Sequence, residues 1–194
     1  MASTSEIACA AELLKDGKLV AFATETVYGL GADATNADAV ASVFEAKGRP
    51  RFNPLIIHVS DVRAARKIVK FTKQAEELAE QFWPGALTLV LPRTESCKVS
   101  YLAGAGLNTL AVRVPSKKKT NQFLKQVGVP VAAPSANKSG MVSPTEASHV
   151  SEVFGNQISM VLDGGPCTIG VESTVLDLTG SNPVILRHGG VTFE

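Results

Sequence analysis

The stretch LVAFATETVYGLGADATNADAVASVFEAKG, residues 19–48, decides the fold class. It opens with an apolar run over residues 19–23 that is typical of a buried strand. A polar, glycine-bearing segment over 24–31 follows and predicts a loop. The spacing of apolar residues then predicts a helix over 37–47, which Asn36 can cap and Gly48 can end. This strand–loop–helix order indicates an α/β architecture.

The rest of the chain extends this pattern. Strands and helices alternate in the first half, and strands cluster near the end, so we expect a mixed parallel and antiparallel sheet with helices on its faces. Pro144 suits the first turn of a late helix. No linker or repeat divides residues 1–194, which predicts a single domain. The remaining expected helices cover 6–15, 61–70, 73–82, 118–127 and 144–154, and the strands 55–59, 87–91, 110–114, 129–133, 158–162, 174–178 and 184–186.

Composition excludes several classes of protein. The net charge of +1 provides no overall field that would draw the chain to nucleic acid or to a membrane. No apolar run reaches the roughly 18 residues of a membrane span, and the N-terminus lacks the basic start of a signal peptide. Cys9, Cys97 and Cys167 are widely spaced and odd in number, which argues against a disulfide framework or a zinc ribbon. Free thiols fit a reducing compartment, so we expect a cytoplasmic protein.

A cationic cluster follows the helix predicted over 37–47. Lys47, Arg49 and Arg51 lie within five residues, and like charges this close repel one another unless an anion lies between them. A triphosphate suits the cluster, because Arg offers a bidentate fork and Lys a point charge. The alternative is a solvated helix C-terminus, where the helix dipole favours cations in any case.

Two polar segments follow predicted strands. Ser135-Ala136-Asn137 comes after a strand of small apolar residues, and α/β sheets place ligands at the carboxyl ends of strands. Serine and asparagine can bind phosphate oxygens, although both are also ordinary turn residues. Both a phosphate site and an ordinary turn fit this segment.

The loop after the first strand is the second such segment. Thr24, Thr26 and Tyr28 bring three hydroxyls, and Gly29 and Gly31 permit close approach of a ligand. The glycines form neither a G-x-G-x-x-G fingerprint nor a P-loop. A nucleotide would therefore bind without either of these motifs.

Two polar residues fall inside predicted apolar strands. Arg113 needs an anionic partner there, either a substrate carboxylate or a buried acidic side chain. His58 is either a satisfied structural residue or a ligand contact. His58, His149 and His188 lack the spacing of metal ligands, and no G-x-S-x-G elbow supports a serine hydrolase.

Six segments together resemble the YrdC-type threonylcarbamoyl-AMP synthases, in the family's order, over residues 13–192. This resemblance implies a twisted open sheet with a deep, positively lined central cleft. It implies an enzyme, a nucleotidyltransferase that combines L-threonine, bicarbonate and ATP into threonylcarbamoyl-AMP and pyrophosphate. The product would pass to a separate transferase that modifies an adenosine of tRNA. The segments are TETVYGL (24–30), KGRP with NPL (47–50 and 53–55), FWPG with LTL (82–85 and 87–89), VRVP (112–115), SAN (135–137) and STV (173–175).

The resemblance also assigns roles to individual residues. It implies Mg²⁺ accompanying the phosphates and held mostly by ATP and water, while the histidine spacing indicates no protein-built metal site. The residues implied for catalysis are Lys47, Arg49, Ser135 and Asn137. Those implied for ATP are Arg49, Asn53, Thr109, Ser135, Ser143 and Arg187. Those implied for threonine are Thr26, His58, Arg113, Ser173 and the carbonyl of Ala133.

The chain departs from the family pattern at two positions and at its end. Ala23 and His188 stand where the family usually has proline, and the second change bears on the contact expected from Arg187. The sequence stops at Glu194, where the family's long form continues into another domain. Both a natural short form and an excised domain fit this end.

Two competing functions remain open. One is a non-catalytic module of the same fold that binds double-stranded RNA, against which the low net charge argues, since backbone binding needs many cations. The other is a carbamoyl-adenylate domain of a different pathway, such as hydrogenase maturation. The length of the chain and its lack of zinc-finger or acylphosphatase segments argue against that function.

Overall fold

Strands from all parts of the chain meet in one sheet in the computed structural model, which describes residues 2–192. The strands are β1 Val20–Phe22, β2 Gly29–Asp33, β3 Ile56–His58, β4 Leu87–Pro92, β5 Thr109–Arg113, β6 Val131–Ala132, β7 Met160–Leu162, β8 Thr174–Asp177 and β9 Val184–Arg187. The helices are α1 Thr4–Lys15, α2 Ala37–Lys47, α3 Val62–Arg66, α4 Lys73–Phe82, α5 Lys118–Val127 and α6 Ala147–Phe154, the last followed by a 3-10 turn at Gly155–Gln157.

The sheet is mixed, as predicted. Its strand order is β7-β1-β2-β6-β3-β5-β4-β8-β9. The pairs β1–β7, β3–β5 and β4–β8 are parallel, and the other neighbouring pairs are antiparallel. The α/β class with a mixed sheet is therefore confirmed.

The two faces of the sheet are covered unequally. On one face, apolar side chains such as Leu30, Ile57 and Val112 belong to the larger buried core. On the other, Phe22 and Val131 pack with α1 and α5, which contact each other and cover the β7–β1–β2–β6 part of the sheet. The same face of β3, β5 and β8 lines a cleft instead. The helices thus leave room for a site on one half of one face.

Local signals set the ends of α2 as the sequence predicts. The Asn36 side chain accepts hydrogen bonds from the backbone N–H groups of Asp38 and Ala39 at 3.0 and 3.1 Å. Gly48 ends the helix with φ of 62°, a left-handed conformation that glycine adopts without strain. The segment that follows α2 is thereby aimed at the cleft.

Three predicted boundaries are wrong by three residues or more. Residues 29–31, expected in a loop, belong to β2. Gly31 is needed there for packing, because a Cβ at this position would lie 2.8 Å from the Phe22 ring. The helix expected over 61–70 is only Val62–Arg66, since the chain turns to pair Val69 with Arg93. Pro144 precedes α6, and its carbonyl accepts the Tyr28 N–H at 2.8 Å.

Two general features complete the fold. Across residues 2–192, no helix is both long and apolar enough to cross a bilayer. Cys9, Cys97 and Cys167 are free thiols.

Candidate functional site

A cleft of about 230 Å³ lies over the open half of the sheet. Alternate residues of the strands form its floor, because successive side chains of a strand point to opposite faces. Loops that follow β1, α2, β6 and the β7–β8 connection form its walls. The floor is built by Ile56, His58, Val90, Ala111, Arg113 and Val175.

Arg113 is held at one end of the cleft by a buried acid. Its side chain is 4% exposed, and Nη2 donates to Glu25 Oε1 at 2.5 Å. Nη1 donates to Thr26 Oγ1 at 2.9 Å and Nε to the Gly85 carbonyl at 3.0 Å. Of the two partners that the sequence left open, the protein thus supplies the acidic side chain. A guanidinium has five N–H groups, so these three contacts leave donors for a ligand.

Glu25 connects Arg113 to the surrounding loops. Its second oxygen accepts the Ser116 N–H at 3.0 Å, and its backbone carbonyl accepts the Ile169 N–H at 2.9 Å. Burial lowers the pKa of Arg113, and the Glu25 carboxylate opposes that shift. The pair therefore fixes the guanidinium in one orientation.

His58 lies beside Arg113 in the parallel β3–β5 pair. Burial, and then the Arg113 charge, lower the pKa of His58 to about 3, so the ring is neutral at pH 7. Its Nδ1 is buried and has no hydrogen-bond partner among residues 2–192. The ring lines the cleft and lies edge-on to Phe22, with 5.8 Å between the ring centroids, so the structural role and the ligand role of His58 both remain predictions.

Ser173 joins the two ends of the cleft. Its hydroxyl lies 2.7 Å from Thr88 Oγ1 and accepts from Arg187 Nη2 at 3.1 Å. Arg187 also donates from Nε to the Ser173 carbonyl at 3.0 Å. His188 in place of the usual proline has therefore not removed Arg187 from the cleft.

The other end of the cleft is cationic. Arg49, Asn53, Ser135 and Arg187 all line it. Arg49 donates from Nε to the Asn53 carbonyl at 3.2 Å and from Nη2 to the Pro54 carbonyl at 3.1 Å. These bonds hold the guanidinium towards the cleft without a carboxylate on it.

Glu172 is the carboxylate at this end. It pairs with Arg187 and accepts a hydrogen bond from Ser143 Oγ at 2.9 Å. Burial raises the pKa of Glu172, but the Arg187 charge and the hydrogen bonds from Ser135, Ser143 and Arg187 outweigh it, and the pKa is lowered. The group is therefore an anion at neutral pH.

Lys47 and Asn137 lie behind the cleft wall rather than on it. Lys47 is 2% exposed, and its Nζ donates to the carbonyls of Ser135 and Asn137. The Asn137 amide donates to the carbonyls of Lys138 and Met141 at 2.8 and 2.7 Å. In residues 47–49, Arg49 thus lines the cleft and Lys47 supports the backbone behind it. In residues 135–137, Ser135 lines the cleft and Asn137 supports the backbone.

The solvated interpretation of the cationic cluster is therefore wrong for Lys47. Burial, and then repulsion by Arg49, lower the pKa of Lys47 to about 8. Arg51, by contrast, is exposed. Two of the three clustered cations are thus built into the fold, and one faces solvent.

Three hydroxyl side chains are placed differently from Thr26. Tyr28 points away from the cleft and donates to Asp163 Oδ1 at 3.2 Å and to the Gly165 carbonyl at 2.9 Å. Thr109 lies on the cleft face of β5, since it is two residues before Ala111, but beyond the lining. Ser143 reaches the site through Glu172. Of the remaining predicted contacts, Ala133 lines the cleft.

Sequence reasoning missed Glu25 and Glu172. A buried Arg113 requires an acid, and Glu25 stands in a polar segment next to a buried strand, so a signal for it existed. Glu172 has no comparable signal, because its importance comes from Arg187 and Ser143, which are distant in sequence.

A second groove, of about 720 Å³, lies near the end of β3 and holds none of the predicted site residues. Its rim carries four exposed cations and Asp61, and its floor is apolar. The cations are Arg63, Lys67, Lys98 and Lys125. Within the described part of the chain, no group of three or more His, Cys, Asp or Glu side chains is arranged to hold a metal ion.

The sequence model of the Sua5/YciO/YrdC family, described as "Telomere recombination", matches residues 12–189. The threonylcarbamoyl-AMP synthase of Bacillus subtilis is 49% identical over 193 residues, which cover 97% of this chain and 55% of the relative. That of Pyrococcus abyssi is 50% identical over 190 residues, with the same coverage of both chains.

Solved structures agree. The crystal structure of P. abyssi Sua5 complexed with L-threonine matches with a TM-score of 0.93 at 50% identity, over 96% of this chain and 55% of that one. The chain thus spans about half the length of the curated relatives that it matches.

Proposed function

The chain belongs to the Sua5/YciO/YrdC family, and on that basis we propose that it makes threonylcarbamoyl-AMP and pyrophosphate from L-threonine, bicarbonate and ATP. One observation carries the proposal. A single cleft joins a buried guanidinium with free donors, Arg113, to a cationic end formed by Arg49 and Arg187. That is the arrangement needed to hold an amino-acid carboxylate and a phosphate chain together.

Threonine binds at the Arg113 end in this proposal. The remaining N–H groups of Arg113 hold the carboxylate as a paired hydrogen bond. The His58 ring and the Thr26 hydroxyl, which both line the cleft, bind the polar groups of the amino acid. Ser173 and the Ala133 carbonyl complete this end. A neutral His58 suits this role, because Arg113 alone supplies the positive charge that the threonine carboxylate needs.

ATP binds at the other end. Arg49, Ser135, Ser143 and Arg187 contact the phosphates directly, and Asn53 and Thr109 contribute further along the nucleotide. Lys47 and Asn137 act from behind by fixing the backbone that carries Ser135. The tetrad expected from the resemblance therefore divides into two contacting and two supporting residues.

The reaction needs positioning more than covalent catalysis. The threonine amine and bicarbonate form the carbamate, with an N–C bond made, a C–O bond of bicarbonate broken and water released, and a carbamate oxygen then attacks the α-phosphorus of ATP. A new O–P bond forms, and the bond from the α-phosphorus to the bridging oxygen breaks and releases pyrophosphate. Arg49 and Arg187 stabilise the charge that develops on the leaving group. Holding two anions that repel each other in one cleft is the larger task.

Magnesium enters this proposal as part of the nucleotide substrate. The phosphate end offers two guanidiniums, hydroxyls and one carboxylate, Glu172, which Arg187 and Ser143 already engage. Such a set is not an oxygen cage for a hard cation. Phosphate oxygens and water would hold the ion.

The wider context is also part of the proposal. The product would be handed to a tRNA threonylcarbamoyl transferase, in the cytoplasm. Contact with RNA is a second candidate, which the four cations of the second groove favour. A duplex-RNA binding assay tests this candidate. RNA contact is supported if the affinity falls steeply with salt and is lower still in the Lys98→Glu variant.

Pyrophosphate release tests the main proposal. The protein is incubated with ATP, bicarbonate and a single amino acid. We expect release that requires threonine and bicarbonate. Equal release with serine, or none with either amino acid, would contradict the proposed activity.

A further inference from the structure

Glu172 places a carboxylate among the side chains that the proposed function gives to ATP. Its Oε1 accepts from Ser143 Oγ at 2.9 Å, and its Oε2 accepts from Arg187 Nη1. The hydroxyl of Ser135 and the charge of Arg49 also act on it. Four of the six residues assigned to ATP therefore surround one internal anion.

Two of these donors, Ser143 and Arg187, are already engaged by Glu172. A serine hydroxyl has a single proton to donate, and Ser143 gives it to Glu172. The fork of Arg187 is divided between Glu172 and Ser173. A phosphate oxygen and a carboxylate also repel each other at close range. A phosphate chain that takes the Ser143 proton must therefore displace the carboxylate from it.

Glu172 is placed so that its side chain can leave. The side chain is 31% exposed, whereas that of Glu25 is 9% exposed. The backbone before it is held by two hydrogen bonds, from Ile169 N to the Glu25 carbonyl at 2.9 Å and from Gly170 N to the Thr26 carbonyl at 3.1 Å. Rotation of the Glu172 side chain towards solvent therefore frees the donors without movement of the main chain.

The size of the cleft agrees with this exchange. Its volume of about 230 Å³ lies below the roughly 300–1,000 Å³ of typical small-molecule sites. Two substrates must fit, and outward rotation of Glu172 enlarges the cleft at the phosphate end.

We propose that Glu172 is a built-in competitor for the phosphate chain, which occupies the phosphate donors in the free protein and exchanges with the ligand. The inference rests on the proposed nucleotide-binding role of this end of the cleft. In this proposal the Glu172 carboxylate lowers the affinity for phosphate. Without it, Arg49, Arg187, Ser135 and Ser143 would bind phosphate more tightly. The same exchange in reverse helps pyrophosphate to leave, because the returning carboxylate takes back its donors.

Calorimetric binding of inorganic triphosphate, without divalent metal, tests the proposal on the intact chain. Glu172→Gln keeps the shape and removes the charge, and we expect it to bind triphosphate about tenfold more tightly than the unsubstituted protein. Glu80→Gln is the matched control, because Glu80 is exposed on α4 and its loss changes the net charge equally. The control variant should bind triphosphate as the unsubstituted protein does.

Glu172→Ala is the second variant, for the event that the amide disturbs the fold. It should show the same gain in triphosphate affinity, while threonine affinity stays within twofold in both variants. Unchanged or weaker triphosphate binding in the folded variants, a gain equal to that of Glu80→Gln, or no binding by any form would overturn the inference.

The inference and the proposed function fail separately. If Glu172→Gln gains triphosphate affinity but the unsubstituted protein releases no pyrophosphate with threonine, the activity is wrong and the exchange stands. If the activity is present and Glu172→Gln gains nothing, the exchange is wrong.

Discussion

Two arginine–glutamate pairs face the same cleft, and they differ in burial. Arg113 and Glu25 have side chains that are 4% and 9% exposed. Arg187 and Glu172 have side chains that are 38% and 31% exposed. The first pair lies at the end proposed for threonine and the second at the end proposed for ATP.

This difference gives the two pairs different physical roles. A buried charge that loses its partner cannot be rescued by water, so the inner pair must stay intact through every step. An exposed partner is easily replaced by solvent or by another anion. The inner pair therefore orients a ligand, and the outer pair can exchange with one.

The largest expected effect comes from breaking the inner pair. Glu25→Ala leaves Arg113 buried without its counterion, and we expect the free energy of unfolding to fall by about 3–5 kcal/mol. Urea denaturation measures it. Glu77→Ala is the control, because the Lys73–Glu77 pair is 92% and 65% exposed and should contribute less than about 0.5 kcal/mol. A loss below 1 kcal/mol for Glu25→Ala would show that the inner pair is not buried in solution.

Removing the unpaired cation of the outer end comes next. Arg49→Ala should lower kcat about 10²- to 10³-fold, as removal of one donor to a developing negative charge does elsewhere. Its unfolding free energy should change little, since its hydrogen bonds go to the carbonyls of Asn53 and Pro54, which water can satisfy. Arg51→Ala, two residues away and exposed, should retain full activity. If Arg49→Ala also retained full activity, the cationic end of the cleft would have no role in the reaction.

Local signals in the sequence predict much of the fold but less of the difference in burial between the two arginine–glutamate pairs. Asn36 and Gly48 bound α2 through contacts within a few residues, so the pattern finds them. Gly31 misled the prediction, because a glycine that makes room for Phe22 in a strand reads as a loop residue when the partner strand is unknown.

The site divides in the same way. The apolar neighbours of Arg113 require some acid, but its identity as Glu25 depends on contacts between residues 88 positions apart. The position of Lys47 behind the cleft depends on the loop at Ser135, equally distant in sequence. Residue types and order therefore indicate the chemistry, and only the packed structure separates contacting from supporting side chains.

A titration of Lys47 tests whether burial near the cationic end of the cleft lowers the pKa of this side chain. Its pKa in the folded protein is lowered from 10.5 to about 8. Between these values the unfolded chain binds more protons, so the stability contributed by this group rises with pH. We therefore compare the change in unfolding free energy from pH 7 to pH 9.5 in two proteins. This change should be more positive in the unsubstituted protein than in Lys47→Met, by up to about 2 kcal/mol.

The hydrogen bonds need not be lost in this titration. A neutral amine keeps two N–H groups, enough for the carbonyls of Ser135 and Asn137. Identical pH dependence in the unsubstituted protein and Lys47→Met would mean that the ammonium is as well solvated as an exposed lysine.

The smallest effect should come from breaking the outer pair. Glu172→Ala removes an ion pair in which both partners reach water, and we expect the unfolding free energy to change by less than about 1 kcal/mol in urea denaturation. Arg187 keeps its bonds to the Ser173 carbonyl at 3.0 and 2.9 Å, so its orientation should survive. A loss as large as that of Glu25→Ala would make the outer pair a fixed part of the fold. In that event a phosphate chain could not take its place without destabilising the protein, and the division between an orienting pair and an exchangeable pair would fail.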